Sequence, residues 1–161
     1  MFKMFQKKSK NVEIYAPVTG RMMNLENVPD KVFGSKMMGD GVAFELDEDL
    51  VCAPCEGTIT LVAETLHAFG ITAENGAEIL IHIGLDTVNL NGQGFQKLVD
   101  QGEKVKKGTP ILRVDRSSLK EKNIILTTPM VITNSADYDL NVLENNEVLS
   151  GETVVISCTK K

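Results

Sequence analysis

The chain runs to 161 residues, with 42% hydrophobic content, a net charge of −5 and no tryptophan. That is one domain's worth of sequence, long enough to bury a full core. The acidic balance and the 5% aromatic content argue against nucleic acid as a partner and favour a basic surface or a protein. No run approaches transmembrane length or carries the long apolar stretch of a secretory signal, so a cytoplasmic protein is expected.

The first ten residues stand apart. Met1, Phe2, Met4 and Phe5 are apolar, and Lys3, Lys7, Lys8 and Lys10 are basic. As a helix they make a short amphipathic anchor that would touch an anionic membrane. As a tail they are too few to hold a helix in water. Residues 1–10 are therefore read as a flexible or amphipathic tail and residues 11–161 as a single domain.

Short strand candidates follow at 42–46, 57–62, 69–74, 78–83, 110–114, 130–133 and 153–157, punctuated by glycine and proline turns. Helix is sparse: Phe95, Leu98 and Val99 are spaced for one turn, and Ser117 to Lys122 for another. Two internal echoes appear. Ala16-Pro17-Val18-Thr19-Gly20 matches Ala53-Pro54-Cys55-Glu56-Gly57, and Val105-Lys106-Lys107-Gly108 matches Val148-Leu149-Ser150-Gly151. Each unit gives a tight turn that launches a strand. The pattern predicts an all-β sandwich or barrel-like domain with a few short helical turns and an internal pseudo-repeat of two similar halves.

Three cysteines, Cys52, Cys55 and Cys158, cannot all pair, which fits a reducing compartment. Cys52-Ala53-Pro54-Cys55 has redox or zinc spacing. It runs into a β-rich segment instead of a helix, and no second Cys-x-x-Cys completes a zinc site.

The two histidines of the chain, His67 and His82, flank Asn75-Gly76, a strong signal for a two-residue type I′ turn. That turn pairs Glu74 with Ala77, Phe69 with His82 and His67 with Gly84. Thr65, His67, Phe69 and Ile71 then share an outer face with Leu80, His82 and Asp86, while Leu66, Ala68, Gly70, Ile79, Ile81 and Ile83 form the core face. The histidines become diagonal neighbours, with Cα atoms roughly 7–8 Å apart. A one-residue slip in register would send them to opposite faces.

Several chemistries use two imidazoles. A zinc hydrolase needs a third ligand, from Asp86 or elsewhere, and no His-Glu-x-x-His run is present. No Gly-x-x-x-x-Gly-Lys phosphate loop exists either. A regulatory binding module would need only the apolar face. Phosphoryl carriage needs one imidazole to attack phosphorus while its other nitrogen donates to a backbone carbonyl, and a second imidazole to steady the added charge. Thr65, His67, Phe69, Leu80 and His82 supply those parts.

Around these residues the chain resembles the glucose-type enzyme IIA family (EIIA-Glc) of the bacterial phosphoenolpyruvate-dependent sugar phosphotransferase system. The likeness runs from Ala16-Pro17-Val18-Thr19-Gly20 through Val28-Pro29-Asp30, Met38-Gly39-Asp40-Gly41 and Thr65-Leu66-His67-Ala68-Phe69. It continues through Ile79 to Val88, Gly92-Gln93-Gly94-Phe95 and Thr128-Pro129-Met130-Val131-Ile132-Thr133-Asn134. The resemblance implies an antiparallel β-sandwich, a duplicated hybrid motif, that carries phosphate from phospho-HPr to the IIB domain of a sugar permease, with regulated transporters or metabolic enzymes as further partners. It implies that His82 accepts the phosphoryl group on Nε2, that His67 steadies it, that Thr65 orients His67, and that the Gly84 carbonyl orients His82. It also implies an apolar docking surface of Val32, Phe33, Met37, Met38, Leu80 and Val88, with Asp30 and Asp86 as acidic contacts. No cofactor is implied, apart from a zinc ion that His67 and His82 could share with a partner's carboxylate. Leu66 before His67, and the small Ala63, depart from the family pattern.

Overall fold

The computed structural model describes residues 10–161, so of the expected tail only Lys10 is among the described residues. Strands β1 (Asn11–Tyr15) and β2 (Gly20–Asn24) lead through a 3₁₀ turn (Leu25–Asn27) and helix α1 (Lys31–Gly34) to β3 (Asp40–Leu46). Next come β4 (Leu50–Cys52), β5 (Gly57–Val62), β6 (Ala68–Ala73) and β7 (Glu78–His82), then a second 3₁₀ turn (Thr87–Leu90). β8 (Phe95–Lys97), β9 (Lys104–Val105), β10 (Pro110–Val114) and helix α2 (Arg116–Glu121) follow. β11 (Thr128–Ile132), a third 3₁₀ turn (Ser135–Asp137), β12 (Tyr138–Val142), β13 (Glu147–Val148) and β14 (Val154–Lys160) complete the chain.

All pairings are antiparallel. One eight-stranded sheet runs β13-β2-β3-β11-β7-β6-β5-β9, and two three-stranded sheets run β1-β14-β12 and β4-β10-β8. Alternation along the large sheet explains its inner face. Val42, Phe44, Phe69, Ile71, Ile79, Ile81, Met130 and Ile132 all point inward and join Ile14, Val51, Ile111 and Ile156 of the smaller sheets in one buried core.

Every expected strand is present, and α2 falls on the second expected helical turn. The first expected turn is not helical: Phe95–Lys97 is a strand, with Phe95 opposite Val114 and Lys97 opposite Leu112. Three apolar positions cannot fix a helical period when a neighbouring strand offers a ladder of hydrogen bonds.

The pseudo-repeat is a two-fold arrangement. Gly20 pairs with Leu46 and Val148 as Gly57 pairs with Ala73 and Val105. Tyr15 N–H donates to the Pro54 carbonyl and Cys52 N–H to the Pro17 carbonyl, both at 2.7 Å. Gly151 N–H donates to the Ala16 carbonyl at 2.9 Å and Gly108 N–H to the Ala53 carbonyl at 2.8 Å. At the junction Gly108 and Gly151 touch: a Cβ on Gly151 would lie 2.7 Å from the Gly108 Cα.

The β6–β7 hairpin departs from its expected register by one residue. Ala68 pairs with His82 and Phe69 with Ile81. Ala73 N–H donates to the Ala77 carbonyl and Gly76 N–H to the Ala73 carbonyl, closing a three-residue loop in which Gly76 alone takes positive φ (88°). A type I′ turn needs positive φ at Asn75 too. Asn75 is instead buried, and its side chain donates to the carbonyls of Lys10 (2.9 Å) and Cys158 (3.0 Å) and accepts from Ala77 N–H (3.2 Å). Those three bonds and Tyr138 Oη, which donates to the Asn75 carbonyl at 2.7 Å, hold the longer loop in place.

Candidate functional site

In this register β7 turns Leu80 and His82 outward, opposite Gly70 and Ala68. Phe69 and Ile71, expected on the histidine face, are fully buried in the core, and Ala68 and Gly70 take their place. Yet the histidines still meet: their ring centroids are 4.9 Å apart, edge to face at 75°. His67 escapes the alternation because it is a loop residue. Ala63 N–H donates to the Ala68 carbonyl and Leu66 N–H to the Ala63 carbonyl, and Leu66 adopts φ 59°. The chain therefore enters β6 from a tight left-handed corner, and the His67 ring lies beside His82 while its carbonyl accepts from Ile83 N–H at 2.6 Å.

His82 Nδ1 lies 2.7 Å from the Gly84 carbonyl. A carbonyl only accepts, so Nδ1 carries the proton and Nε2 keeps its lone pair. His67 Nδ1 lies 2.5 Å from Thr65 Oγ1. With that hydroxyl donating, the His67 proton sits on Nε2, ready to donate to an anion. Burial holds the His82 pKa down, against the Gly84 hydrogen bond and the charges of Asp30 and Asp86, which raise it. Burial and the neighbouring His82 lower the His67 pKa as well. Both rings are therefore neutral at neutral pH, the state a nitrogen nucleophile needs.

The carbonyl that orients His82 is itself tightly placed. Gly84 takes φ 78°, and a Cβ there would lie 2.6 Å from Thr87 Cγ2 and 2.8 Å from the Ile125 carbonyl oxygen. Leu85 N–H donates to that Ile125 carbonyl at 2.9 Å, and the fully buried Thr87 Oγ1 donates to the Ile83 carbonyl at 2.6 Å. Thr87 was not singled out from the sequence; a hydroxyl beside a glycine-containing turn was the only local signal.

Around the histidines lies an apolar rim. Val32 (42% exposed), Met37 (76%), Met38 (40%) and Val88 (48%) are open to solvent, and Leu80 is half-buried. Phe33 differs: it is 7% exposed and packs 5.0 Å from the His82 ring, so it is floor more than docking surface. Asp30 caps α1, accepting from Val32 N–H (2.9 Å) and Phe33 N–H (3.2 Å). Asp86 begins the second 3₁₀ turn in a left-handed conformation. Ile125 is exposed beside Gly84 and was not foreseen; the run Ile124-Ile125-Leu126 was its signal.

All three cysteines are free and buried. Burial chiefly, with Cys158 and two glutamates, pushes the Cys55 thiol up to about 12, far from a reactive thiolate. Among the described residues no group of three His, Cys, Asp or Glu side chains is placed to hold a metal, and no helix is long and apolar enough to cross a membrane.

Residues 12–138 match the model of the phosphoenolpyruvate-dependent sugar phosphotransferase system EIIA 1 family. The chain is 43% identical over 151 residues to the PTS system glucose-specific EIIA component of Staphylococcus epidermidis, covering 93% of this chain and 91% of that one. It is 41% identical over 143 residues to the PTS system glucoside-specific EIICBA component of Staphylococcus carnosus, covering 89% of this chain and 21% of the relative. Its structure superposes on the glucose permease IIA from Mycoplasma capricolum with a TM-score of 0.85 at 37% identity, covering 96% of this chain and 99% of that one. A β-sandwich presenting paired neutral imidazoles on an apolar face, with these relatives, places the chain in the EIIA 1 family as a phosphocarrier component of the sugar phosphotransferase system.

Proposed function

We propose that His82 is the residue that carries the phosphoryl group, taking it from phospho-HPr and delivering it to the IIB domain of a glucose-type permease. The observation that carries this reading is the His82 Nδ1 to Gly84 carbonyl bond at 2.7 Å, with the second imidazole 4.9 Å away. The Nε2 lone pair attacks phosphorus, the bond from phosphorus to the donor breaks, and the proton stays on Nδ1, which donates it in a hydrogen bond to the Gly84 carbonyl. His67, its tautomer set by Thr65, donates from Nε2 to a phosphoryl oxygen. In the second transfer the roles reverse, and His82 is the leaving group.

Val32, Met37, Met38, Leu80 and Val88 suit a docking surface that excludes water from the transfer, with Phe33 supporting it from below and Asp30 and Asp86 meeting basic groups of the partner. Phosphorylation changes the charge of this surface, which suits control of transporters or metabolic enzymes that dock there. The transfer itself calls on no cofactor; a zinc ion between His67 and His82 would take its remaining ligand from a partner's carboxylate. Such a carrier works in the cytoplasm, and residues 1–10, basic and apolar, suit contact with the anionic inner face of the membrane.

Mass spectrometry after incubation with phosphoenolpyruvate, enzyme I and HPr tests the assignment. An acid-labile gain of one phosphoryl group in the wild type and none in His82→Ala is expected. Equal gain in both proteins would move the acceptor elsewhere.

A further inference from the structure

Gly84 lies between two peptide groups, and each is held from outside. In the group that precedes it, the Ile83 carbonyl accepts from Thr87 Oγ1 at 2.6 Å. In the group that follows it, Leu85 N–H donates to the Ile125 carbonyl at 2.9 Å. A peptide group is planar, and its N–H and C=O point in opposite directions. Holding Leu85 N–H therefore aims the Gly84 carbonyl the other way, and there it meets His82 Nδ1 at 2.7 Å. Ile83 is also tied through its N–H to the His67 carbonyl at 2.6 Å. One residue thus joins the two histidine segments, and the Thr87 hydroxyl holds its far end.

Thr87 is fully buried, with Cγ2 pressed beneath Gly84. Valine has the same shape and costs nothing to desolvate, whereas a buried hydroxyl is costly unless it makes a bond that matters. We infer that Thr87 is a positioning residue for phosphoryl transfer: its hydroxyl holds the Ile83–Gly84 peptide, so that the Gly84 carbonyl keeps the His82 proton on Nδ1 and leaves Nε2 free to attack. This rests on the reading of His82 as the phosphoryl acceptor. Thr87 touches neither the phosphate nor the ring through its hydroxyl; it acts through the backbone.

The test compares Thr87→Val with Thr87→Ser. Long-range 1H–15N correlation reads the protonation of each ring nitrogen, and with two histidines in the chain the assignment is direct. Rapid-quench transfer from phospho-HPr at several HPr concentrations reads the maximal rate and the half-saturating concentration separately. In the wild type the His82 proton sits on Nδ1. Thr87→Val is expected to mix the two tautomers and to lower the maximal rate about tenfold, the loss of one buried hydrogen bond, with the half-saturating concentration unchanged. Thr87→Ser restores both. If Thr87→Val does not fold, Thr87→Ala removes the hydroxyl without adding bulk and carries the same comparison. A wild-type tautomer and rate in the variant without the hydroxyl overturns the inference. So does an equal rate loss in that variant and Thr87→Ser with the tautomer unchanged, which marks a packing role only. The tautomer is read without any phosphoryl donor. Failure of the carrier reading, seen as a wild type that takes no phosphate, therefore stays distinct from failure of this one.

Discussion

Replacing Gly84 by alanine separates two reasons for a glycine, because a second glycine supplies the control. At Gly84 the backbone takes φ 78°, and an added Cβ lies 2.6 Å from Thr87 Cγ2 and 2.8 Å from the Ile125 carbonyl oxygen. At Gly102 the backbone takes φ 99°, and an added Cβ meets nothing within 4 Å. Left-handed backbone costs an alanine about 1–2 kcal/mol at either position. Only Gly84→Ala adds overpacking, about 1–3 kcal/mol, because one of the neighbours is backbone and cannot swing aside. The expected totals are about 2–5 kcal/mol for Gly84→Ala and about 1–2 kcal/mol for Gly102→Ala, out of a typical domain stability of about 5–15 kcal/mol. Urea unfolding with an unchanged slope reads both. Making room at Gly84 moves the Ile125 carbonyl or Thr87 and drags the Gly84 oxygen from His82 Nδ1, so phosphoryl acceptance falls there and not in Gly102→Ala. Equal destabilisation by the two substitutions would refute the claim that close approach, beyond φ, makes Gly84 a glycine.

His67→Gln is expected to accept phosphate at His82 but to deliver it poorly; unimpaired delivery to IIB in a stopped transfer assay sinks the role given to His67. His82→Gln is expected to lose both steps and keep binding to HPr, as read by titration calorimetry. Asn75→Ala removes the three side-chain bonds to the Lys10 and Cys158 carbonyls and from Ala77 N–H, and is expected to cost about 2–4 kcal/mol in urea with little change in transfer rate. The histidines also set a pH dependence. Their folded pKa values lie below the ordinary value, so as pH falls through about 6.5 the unfolded chain takes up protons first, and stability drops. The melting temperature of the wild type should therefore fall more steeply below about pH 6.5 than that of a His67→Gln/His82→Gln variant; parallel curves would count against the assignment.

Strands with an apolar alternation were legible: Val42, Phe44 and Leu46, or Ile79, Ile81 and Ile83, can bury only one face of a strand. Two strands that escaped notice, β1 and β12, do alternate, with Val12 and Ile14 or Tyr138, Leu140 and Val142 on one face, and were legible in principle. Others carry no such pattern. β2 reads Gly-Arg-Met-Met-Asn, and β9 and β13 are two residues each, so their partners and not their own composition make them strands. The hairpin register was misread for a related reason. Asn75-Gly76 fits a type I′ turn locally, and what selects the longer loop is a set of contacts from Lys10, Tyr138 and Cys158, far along the chain. The histidine pair survived the slip because the Leu66 corner frees His67 from strand alternation, which no periodicity could reveal. Although each lies within two residues of its hydrogen-bond partner, the Gly84 carbonyl was expected only from the family resemblance, whereas the histidines and Thr65 were legible from the residues themselves. Thr87 acts one peptide further away and was not.

Why the site occupies one half of a nearly symmetric sheet follows from two connections. β3 and β6 occupy equivalent places, since Leu46 pairs with Gly20 as Ala73 pairs with Gly57. Counting back along each strand makes Gly41 equivalent to Ala68. Their partners across the ladder, Val131 and His82, are then equivalent too. The same outward position thus holds a buried valine in one half and His82, the proposed phosphoryl carrier, in the other. Between β2 and β3 the chain spends residues 25–39, and Leu25, Val28 and Phe33 from that segment cover Val131 and Ala43. Between β5 and β6 it spends only residues 63–67, a tight loop that packs Leu66 on the main core and sets His67 beside His82. A longer connection at 63–67 would bury His82 as 25–39 buries Val131. The long segment also ends beside the open half: Phe33 packs on the His82 ring, and Val32, Met37 and Met38 stay exposed. One insertion thus closes half of the outer face and furnishes the apolar rim of the other, so a histidine placed at Val131 would be buried under Leu25, Val28 and Phe33 with no surface on which a partner could dock.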